Sequence, residues 1–164
     1  MKKLFTVLLA ATLFSVLGTA LVACGDDKKD EPVVPVAQTL ESEHSVANDT
    51  YLVYDIDLNK DSSTINVFNV VFTMGELSSP PLNISIDAPC TVDKSGKVFT
   101  FAGTNIVPKL VRGNTPVPIP TLGVNNLRSV VNTEKKTYSI SFSCQGTVMG
   151  KTIDGTYEKE GKLK

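Results

Sequence analysis

Alternation of apolar and polar residues from residue 50 onward is the feature that most restricts the fold of this chain. Leu52, Tyr54 and Ile56 stand at every second position, and Asp55 and Asp57 stand between and after them. A period of two places the apolar side chains on one face of an extended segment and the acidic ones on the other, which is typical of a half-buried β-strand.

Further segments of the same kind follow, separated by polar residues, glycine and proline. The predicted strands cover residues 50–58, 65–74, 82–86, 90–92, 97–101, 104–111, 123–131, 137–148 and 152–158. Their phase predicts an inward-facing aromatic set, which is Tyr54, Phe68, Phe72, Tyr138 and Phe142. No segment after the first 23 residues has helical spacing. The pattern predicts an all-β fold, either an antiparallel β-barrel or a β-sandwich of about eight strands.

Residues 116–120 form a Pro-x-Pro-x-Pro run between two predicted strands. Proline fixes one backbone dihedral and removes an N–H donor, so the run predicts a stiff loop. The alternative is a lid or docking strip over one end of the predicted barrel.

The first 23 residues have the layout of a bacterial export signal helix. Lys2 and Lys3 precede an apolar run that is shorter than the roughly 20 residues a membrane-spanning helix needs. The segment that ends this run, Leu21-Val22-Ala23-Cys24, resembles the lipobox of bacterial lipoproteins. The resemblance implies cleavage before Cys24 and a diacylglycerol on its thiol, so Cys24 is the expected lipidation site.

The residues after Cys24 predict a flexible tether, because residues 26–43 are polar and proline-bearing. Their acidic start resembles the signal that directs lipoproteins of Bacteroidetes to the cell surface. We therefore expect an outer-membrane lipoprotein of the cell envelope, either surface-exposed or facing the periplasm. The predicted domains are a signal peptide at 1–23, the lipidated cysteine and tether at 24–48, and a β-barrel domain at 49–164.

The lipobox, the acidic tether and about 115 residues of predicted strands together resemble the small calycin-like barrel lipoproteins of gut Bacteroidetes. The Met74-Gly75 and Met149-Gly150 pairs at strand ends add to this resemblance. It implies a lipocalin-like barrel, but it assigns no ligand and no functional residue.

Net charge argues against a nucleic-acid partner. The chain has 16 Lys and Arg against 17 Asp and Glu, and loss of Lys2 and Lys3 with the signal leaves 14 against 17, a formal charge of −3. A phosphate backbone is bound by an excess of basic residues.

Cys90 and Cys144 are the two cysteines that remain in the predicted domain. An exported protein can keep a disulfide, and a bridge across the core is one alternative. The other alternative is a pair of buried thiols that pack as small apolar side chains.

Two features of the sequence contain residue types that bind metals or act in catalysis. Asp55, Asp57, Asn59 and Asp61 resemble the start of a calcium loop, but Lys60 occupies the position where such a loop needs glycine. His44, the single histidine, lies in the predicted tether, where no packed neighbours would hold a catalytic base. We therefore predict no enzyme activity, no metal site and no cofactor.

Three functions remain open at this point. One is a structural or interaction module whose barrel is filled by its own side chains and whose loops contact another envelope protein. The second is a lipocalin-like binder of a small apolar ligand, and the third is a surface glycan-binding accessory protein. The chain has no tryptophan, and Tyr51 is the one aromatic residue predicted on the outward face of its strand, which disfavours the third.

Overall fold

The computed structural model describes residues 36–74, 77–113, 115–148 and 150–164, all within the compact unit Pro32–Lys164. The predicted signal peptide, Cys24 and the first part of the predicted tether lie outside these residues. The described residues form strands and turns without a helix, which confirms the all-β prediction. Accordingly, the described part of the chain has no helix that is long and apolar enough to cross a membrane.

The described residues contain thirteen strands. In chain order they are β1 Ala37–Glu41, β2 Tyr51–Asp57, β3 Ser63–Val70, β4 Thr73–Met74, β5 Leu77–Ser78, β6 Leu82–Ala88, β7 Cys90–Val92, β8 Val98–Gly103, β9 Lys109–Arg112, β10 Thr115–Pro118, β11 Leu122–Asn132, β12 Thr137–Val148 and β13 Lys151–Lys162. The number exceeds that of the nine predicted segments because residues 65–74 are divided between β3 and β4. In addition, β1 and β10 lie in segments predicted to be tether and loop, and β5 lies between two predicted strands.

The longer strands form two antiparallel sheets, which we call sheet A and sheet B. Sheet A has the order β1-β2-β3-β6-β9-β10, sheet B has the order β13-β12-β11-β8-β7, and β4 pairs with β5 alone. The chain passes directly from sheet A to sheet B at Pro89, between β6 and β7. The described strands do not close into a barrel, so the architecture is that of a sandwich.

Two isolated bridges add to the pairing, one between the margins of the two sheets and one between the β8–β9 connection and the central strand of sheet B. Ser42, just after β1, pairs with Leu163, just after β13, and Ile106 pairs with Val124 of β11. On either side of the first bridge, Glu43 N donates to Lys162 O at 2.8 Å and Lys164 N donates to Glu41 O at 3.0 Å. The end of the chain is therefore fastened to its first strand.

The predicted inward faces of β2 and β12 are confirmed by burial. The side chains on these faces are at most 4% exposed, namely Leu52, Tyr54, Ile56, Tyr138, Ile140, Phe142 and Cys144. Apolar groups at alternate positions of both strands leave water together, which stabilises the pairing of each strand with its sheet.

Strand β3 departs from the predicted alternation at Phe68. Val67 and Val70 are both fully buried, and the register of β3 against β6 shifts between them. Asn69, at the shift, has φ 55°, a left-handed conformation that asparagine tolerates better than most residues. This bulge places Phe68 on the outer face of sheet A, so the prediction that Phe68 lies in the core is wrong, whereas Phe72 is buried as predicted.

Strand β1 begins at Ala37, within the segment predicted as tether and ahead of residue 49, where the β-barrel domain is predicted to begin. Strand β1 pairs with β2 along its whole length. The connection between them is held as well, because Asn69 Nδ2 donates to Ala47 O at 3.3 Å and to Asp49 O at 3.2 Å. The segment lacks an apolar alternation because it is an edge strand, and its backbone hydrogen bonds to β2 hold it in place.

Candidate functional site

The interior of the sandwich is occupied by the side chains of the protein itself. Tyr54, whose side chain is fully buried, lies with its ring centroid 5.5 Å from that of Phe101 and 6.2 Å from that of Tyr138. Its hydroxyl is 3.1 Å from Ser129 Oγ, and Ser129 Oγ donates to Ser139 O at 2.8 Å. Because Ser129 has one proton and gives it to Ser139, Tyr54 is the donor to Ser129.

Burial raises the pKa of Tyr54 well above its usual value, and the bond to Ser129 opposes this only in part. The phenol therefore remains neutral and is satisfied by a hydrogen bond between the two sheets. An aromatic centre of this kind fixes the packing of the core.

The two cysteines of the domain are free thiols in the structure. Both lie in sheet B, Cys90 on β7 and Cys144 on β12, with β8 and β11 between them. Three strand spacings of roughly 4.8 Å separate these strands by about 14 Å, whereas a disulfide needs Cα atoms within about 7 Å. The structure therefore favours the alternative of two unpaired thiols over the disulfide.

The environment of both thiols opposes their ionisation. Burial raises the pKa of Cys144 to about 12. Burial also raises the pKa of Cys90 to about 11, although a hydrogen bond with Ser63 works in the opposite direction. A protonated thiol is a poor nucleophile and a poor metal ligand, so neither cysteine is prepared for chemistry at neutral pH.

The acidic series that begins at Asp55 organises a turn. Asp57 Oδ1 accepts a hydrogen bond from Asn59 N at 3.1 Å, and Asp57 Oδ2 lies 2.9 Å from Lys60 Nζ. The hydrogen bond from Lys60 is the main cause that lowers the pKa of Asp57. No group of three or more His, Cys, Asp or Glu residues within the described ranges is placed to hold a metal ion.

His44 belongs to a stack of three rings on the outer face of sheet A. Its ring lies 4.4 Å from Tyr51, and Tyr51 lies 4.6 Å from Phe68, measured between ring centroids. The outward position predicted for Tyr51 is confirmed. Since both faces of Tyr51 are covered by its neighbours, this ring does not present the open face against which a sugar would stack.

The clearest candidate for a binding surface is the outer face of sheet B. Three adjoining depressions of about 620, 500 and 450 Å³ lie on it, and all three are bordered by Val130, whose side chain is 40% exposed. We call this surface the concave face. Its outward side chains are Thr100, Ala102, Arg128, Val130, Ser139, Ser141, Glu158 and Glu160.

The register of sheet B brings these side chains together. Val130 of β11 is paired with Thr100 of β8 on one side and with Ser139 of β12 on the other. In the next row, Arg128 is paired with Ala102 and Ser141 by the same strands. Small side chains flank each larger one, so a bound molecule can approach the backbone of the sheet closely.

A bulge in β11 adds to the shape of the concave face. The register of β11 against β12 shifts between Asn125 and Arg128, and Asn126 has φ 53°. Such a bulge bends its strand and increases the local twist. Arg128 is the first residue after the bulge that pairs with β12 again, opposite Ser141.

The concave face combines hydroxyl groups, charges of both signs and an apolar side chain. The hydroxyls of Thr100, Ser139 and Ser141 both donate and accept hydrogen bonds. Arg128 adds a cation with several donors, and Glu158 and Glu160 add carboxylate acceptors. Val130 supplies an apolar centre.

The alternation of apolar and polar residues does not distinguish these residues, because each one is an ordinary outward residue of a strand. The usable signal was that β12 has serine at three successive outward positions, Ser139, Ser141 and Ser143.

No protein-family model, curated protein or solved structure matches this chain. The interpretation of its function therefore depends on the surfaces described above.

Proposed function

We propose that this protein is a non-catalytic interaction module of the bacterial cell envelope, anchored in the outer membrane through Cys24. Its partner is another envelope protein, and the concave face is the surface that contacts it. The observation that carries the proposal is the filled interior. Tyr54, Phe99, Phe101 and Phe142 are at most 1% exposed, and their rings occupy the space where a lipocalin would hold its ligand.

The filled interior also bears on the two alternative functions, a binder of a small apolar ligand and a glycan-binding accessory protein. A binder of a small apolar ligand needs an internal cavity, and the packing of Tyr54 between Phe101 and Tyr138 leaves its rings in contact with each other. A glycan-binding accessory protein has one supporting observation, which is that the hydroxyls of the concave face match those of a sugar. It lacks an open aromatic ring on the same face.

The relationship to calycin-like barrels remains part of the proposal. Continuity of the chain from β6 into β7, together with the Ser42–Leu163 bridge between the margins of β1 and β13, supports the view of a flattened, partly opened barrel. A barrel flattened in this way brings its inner side chains into contact and so loses its cavity, which agrees with an interaction module.

Site-specific photo-crosslinking in intact cells tests the proposal. A photoreactive residue at position 130, on the concave face, is compared with one at position 71, where the native valine is 46% exposed. We expect a discrete crosslinked product at position 130, its loss when purified domain is added in excess, and no such product at position 71. Identical crosslinking at both positions, or none at either, contradicts an interaction through the concave face.

Mass spectrometry of the membrane fraction tests the anchor separately. We expect a mature N-terminus at Cys24 that carries acyl chains, and we expect Cys24→Ala to release the chain or leave an uncleaved precursor. A mature N-terminus elsewhere without acyl mass contradicts the anchoring.

A further inference from the structure

The β9–β10 hairpin, at the margin of sheet A, exposes apolar side chains. All four residues of β10 are exposed, and Val117 is 53% exposed. Val107, just before β9, is 47% exposed. Both valines belong to the same margin of sheet A, and exposed apolar side chains that lie near one another are typical of a contact surface.

The hairpin is joined to the rest of its sheet at few positions. Strand β10 pairs with β9 at four positions, whereas β9 pairs with β6 only at Leu110 and Lys109. Val111 and Arg112 are therefore paired with Pro116 and Thr115 of β10 but not with β6. The end of the hairpin is held by its own pairing and can contact a surface without breaking a pair with β6.

The prolines of β10 restrict what that surface can be. Pro116 and Pro118 of β10 are paired with Val111 and Lys109 of β9. Ile119 N donates to Pro108 O at 2.8 Å, so the N–H groups of residues 119 and 117, which are in phase, point towards β9. Positions 116 and 118 are therefore the ones whose N–H groups would point away from β9, and proline has none. The free edge of β10 offers acceptors without donors, so it is a poor template for adding a strand from a protein partner.

The same absence of donors favours a lipid surface. Positions 116 and 118 have no N–H to leave water without a partner, and the carbonyl acceptors of this edge find donors in the water and ammonium groups of a head-group region. Arg112 is exposed at the end of β9 and has no ion-pair partner among the described residues, whereas Lys109 is paired with Asp87 at 2.5 Å. Arg112 is thus available to a phosphate group while the valine and proline side chains enter the interface.

We propose that the β9–β10 hairpin docks onto the head-group region of the membrane that holds the Cys24 anchor. This inference rests on the lipid anchor of the proposed function. The tether leaves the domain at β1, the opposite margin of sheet A, and five strand spacings amount to roughly 24 Å. The 13 residues from Cys24 to Ala37 reach up to roughly 45 Å when extended, so the hairpin and the anchor can occupy the same membrane.

The anchor also explains why so small an apolar surface is sufficient. A few valine and proline side chains alone would not hold a soluble protein on a membrane. Once the acyl chains are inserted, docking of the hairpin is an intramolecular step with a high effective concentration of lipid. The hairpin then sets the orientation of the domain, and sheet B with its concave face is turned to a defined direction.

The chain has no tryptophan, so a single introduced tryptophan reports on its own position alone. The mature, lipidated chain is reconstituted into vesicles of phosphatidylethanolamine and phosphatidylglycerol with brominated acyl chains. Val117→Trp places the reporter on the hairpin, and Val130→Trp is the matched control on the concave face. We expect a shift of emission to shorter wavelength and quenching for V117W, neither of these for V130W, and weaker quenching when V117W is combined with Arg112→Glu.

The possible outcomes separate this inference from the proposed function. If mass spectrometry shows acyl chains on Cys24 and V117W is not quenched, the docking of the hairpin is refuted while the anchor stands. Equal quenching of V117W and V130W refutes a preferred orientation in the same way. If Cys24 carries no acyl chains, the anchor and the inference both fail. Unchanged far-ultraviolet circular dichroism of both variants shows that the substitutions left the fold intact.

Discussion

The bond between the hydroxyls of Tyr54 and Ser129 allows a sharp test of how the core is organised. Both residues are fully buried, and Tyr54 donates to Ser129, which in turn donates to Ser139 O. Tyr54→Phe removes one donor and leaves Ser129 with its other bond, so it should cost about 1 kcal/mol of unfolding free energy. Ser129→Ala instead leaves the Tyr54 hydroxyl buried without an acceptor, which should cost about 2 to 3 kcal/mol.

This asymmetry predicts that the double variant is more stable than S129A alone. With Tyr54→Phe added to Ser129→Ala, the hydroxyl that has lost its acceptor is removed, and part of its desolvation cost is recovered. Tyr157→Phe is the matched control for the chemical change. The Tyr157 hydroxyl is buried and has no hydrogen-bond partner among the residues described, so its removal should leave the stability unchanged or raise it.

Urea unfolding at neutral pH, with transition midpoint and m-value recorded for each variant, measures these differences. Equal m-values are the condition for reading the midpoints as stabilities. A Y54F variant less stable than S129A, or a double variant whose loss equals the sum of the two single losses, would refute the reasoning. So would a Y157F variant that loses as much stability as Y54F.

Three further predictions follow from the packing and the titrating groups. Phe142→Ala should lower the unfolding free energy by about 3–5 kcal/mol, because it empties a buried site. Phe68→Ala, on the outer face of sheet A, should lower it clearly less in the same urea melts, and equal losses would contradict the assignment of faces. Thiol titration of the denatured domain without reductant should count Cys90 and Cys144 as two free thiols, and finding none before reduction would contradict the unpaired state. In the native protein, Cys90 should react before Cys144 as the pH is raised. Burial raises the pKa of Asp87, but its hydrogen bonds lower it more, so the net pKa is lowered. The stability due to Asp87 is present above its unfolded pKa and lost as the pH falls through its folded pKa, so Asp87→Asn should weaken this acid dependence, and an identical pH profile would disprove it.

Sequence periodicity predicted the faces of β2 and β12 because nothing interrupts the pairing of these strands within the alternating segment. Leu52, Tyr54 and Ile56 are buried in sequence order, as a regular pleat requires. The same reasoning failed at Phe68, since one bulge at Asn69 changes the phase of everything on one side of it. The alternation of apolar residues does not reveal where a bulge interrupts a strand. The one nearby indication in the sequence was Asn69, because asparagine tolerates the left-handed conformation that the bulge requires.

Strands at the margins of sheet A were missed for a different reason. Residues 37–41 and 115–118 bury little apolar surface, and their place in the sheet is determined by backbone hydrogen bonds to β2 and β9. Backbone pairing is nearly independent of side-chain type, so it leaves little trace in the sequence. The concave face was missed because it is assembled from β8, β11, β12 and β13, whose juxtaposition depends on strand order.

The bridge between Ser42 and Leu163 has a consequence for the order in which the domain folds. These residues are separated by 121 positions, and closing a loop of that length costs roughly 4 kcal/mol in addition to a constant. The hairpins within each sheet close far shorter loops, so they can form before the two sheets are joined at this margin. We therefore expect the contact between β1 and β13 to form late in folding and to open early when the sandwich loosens.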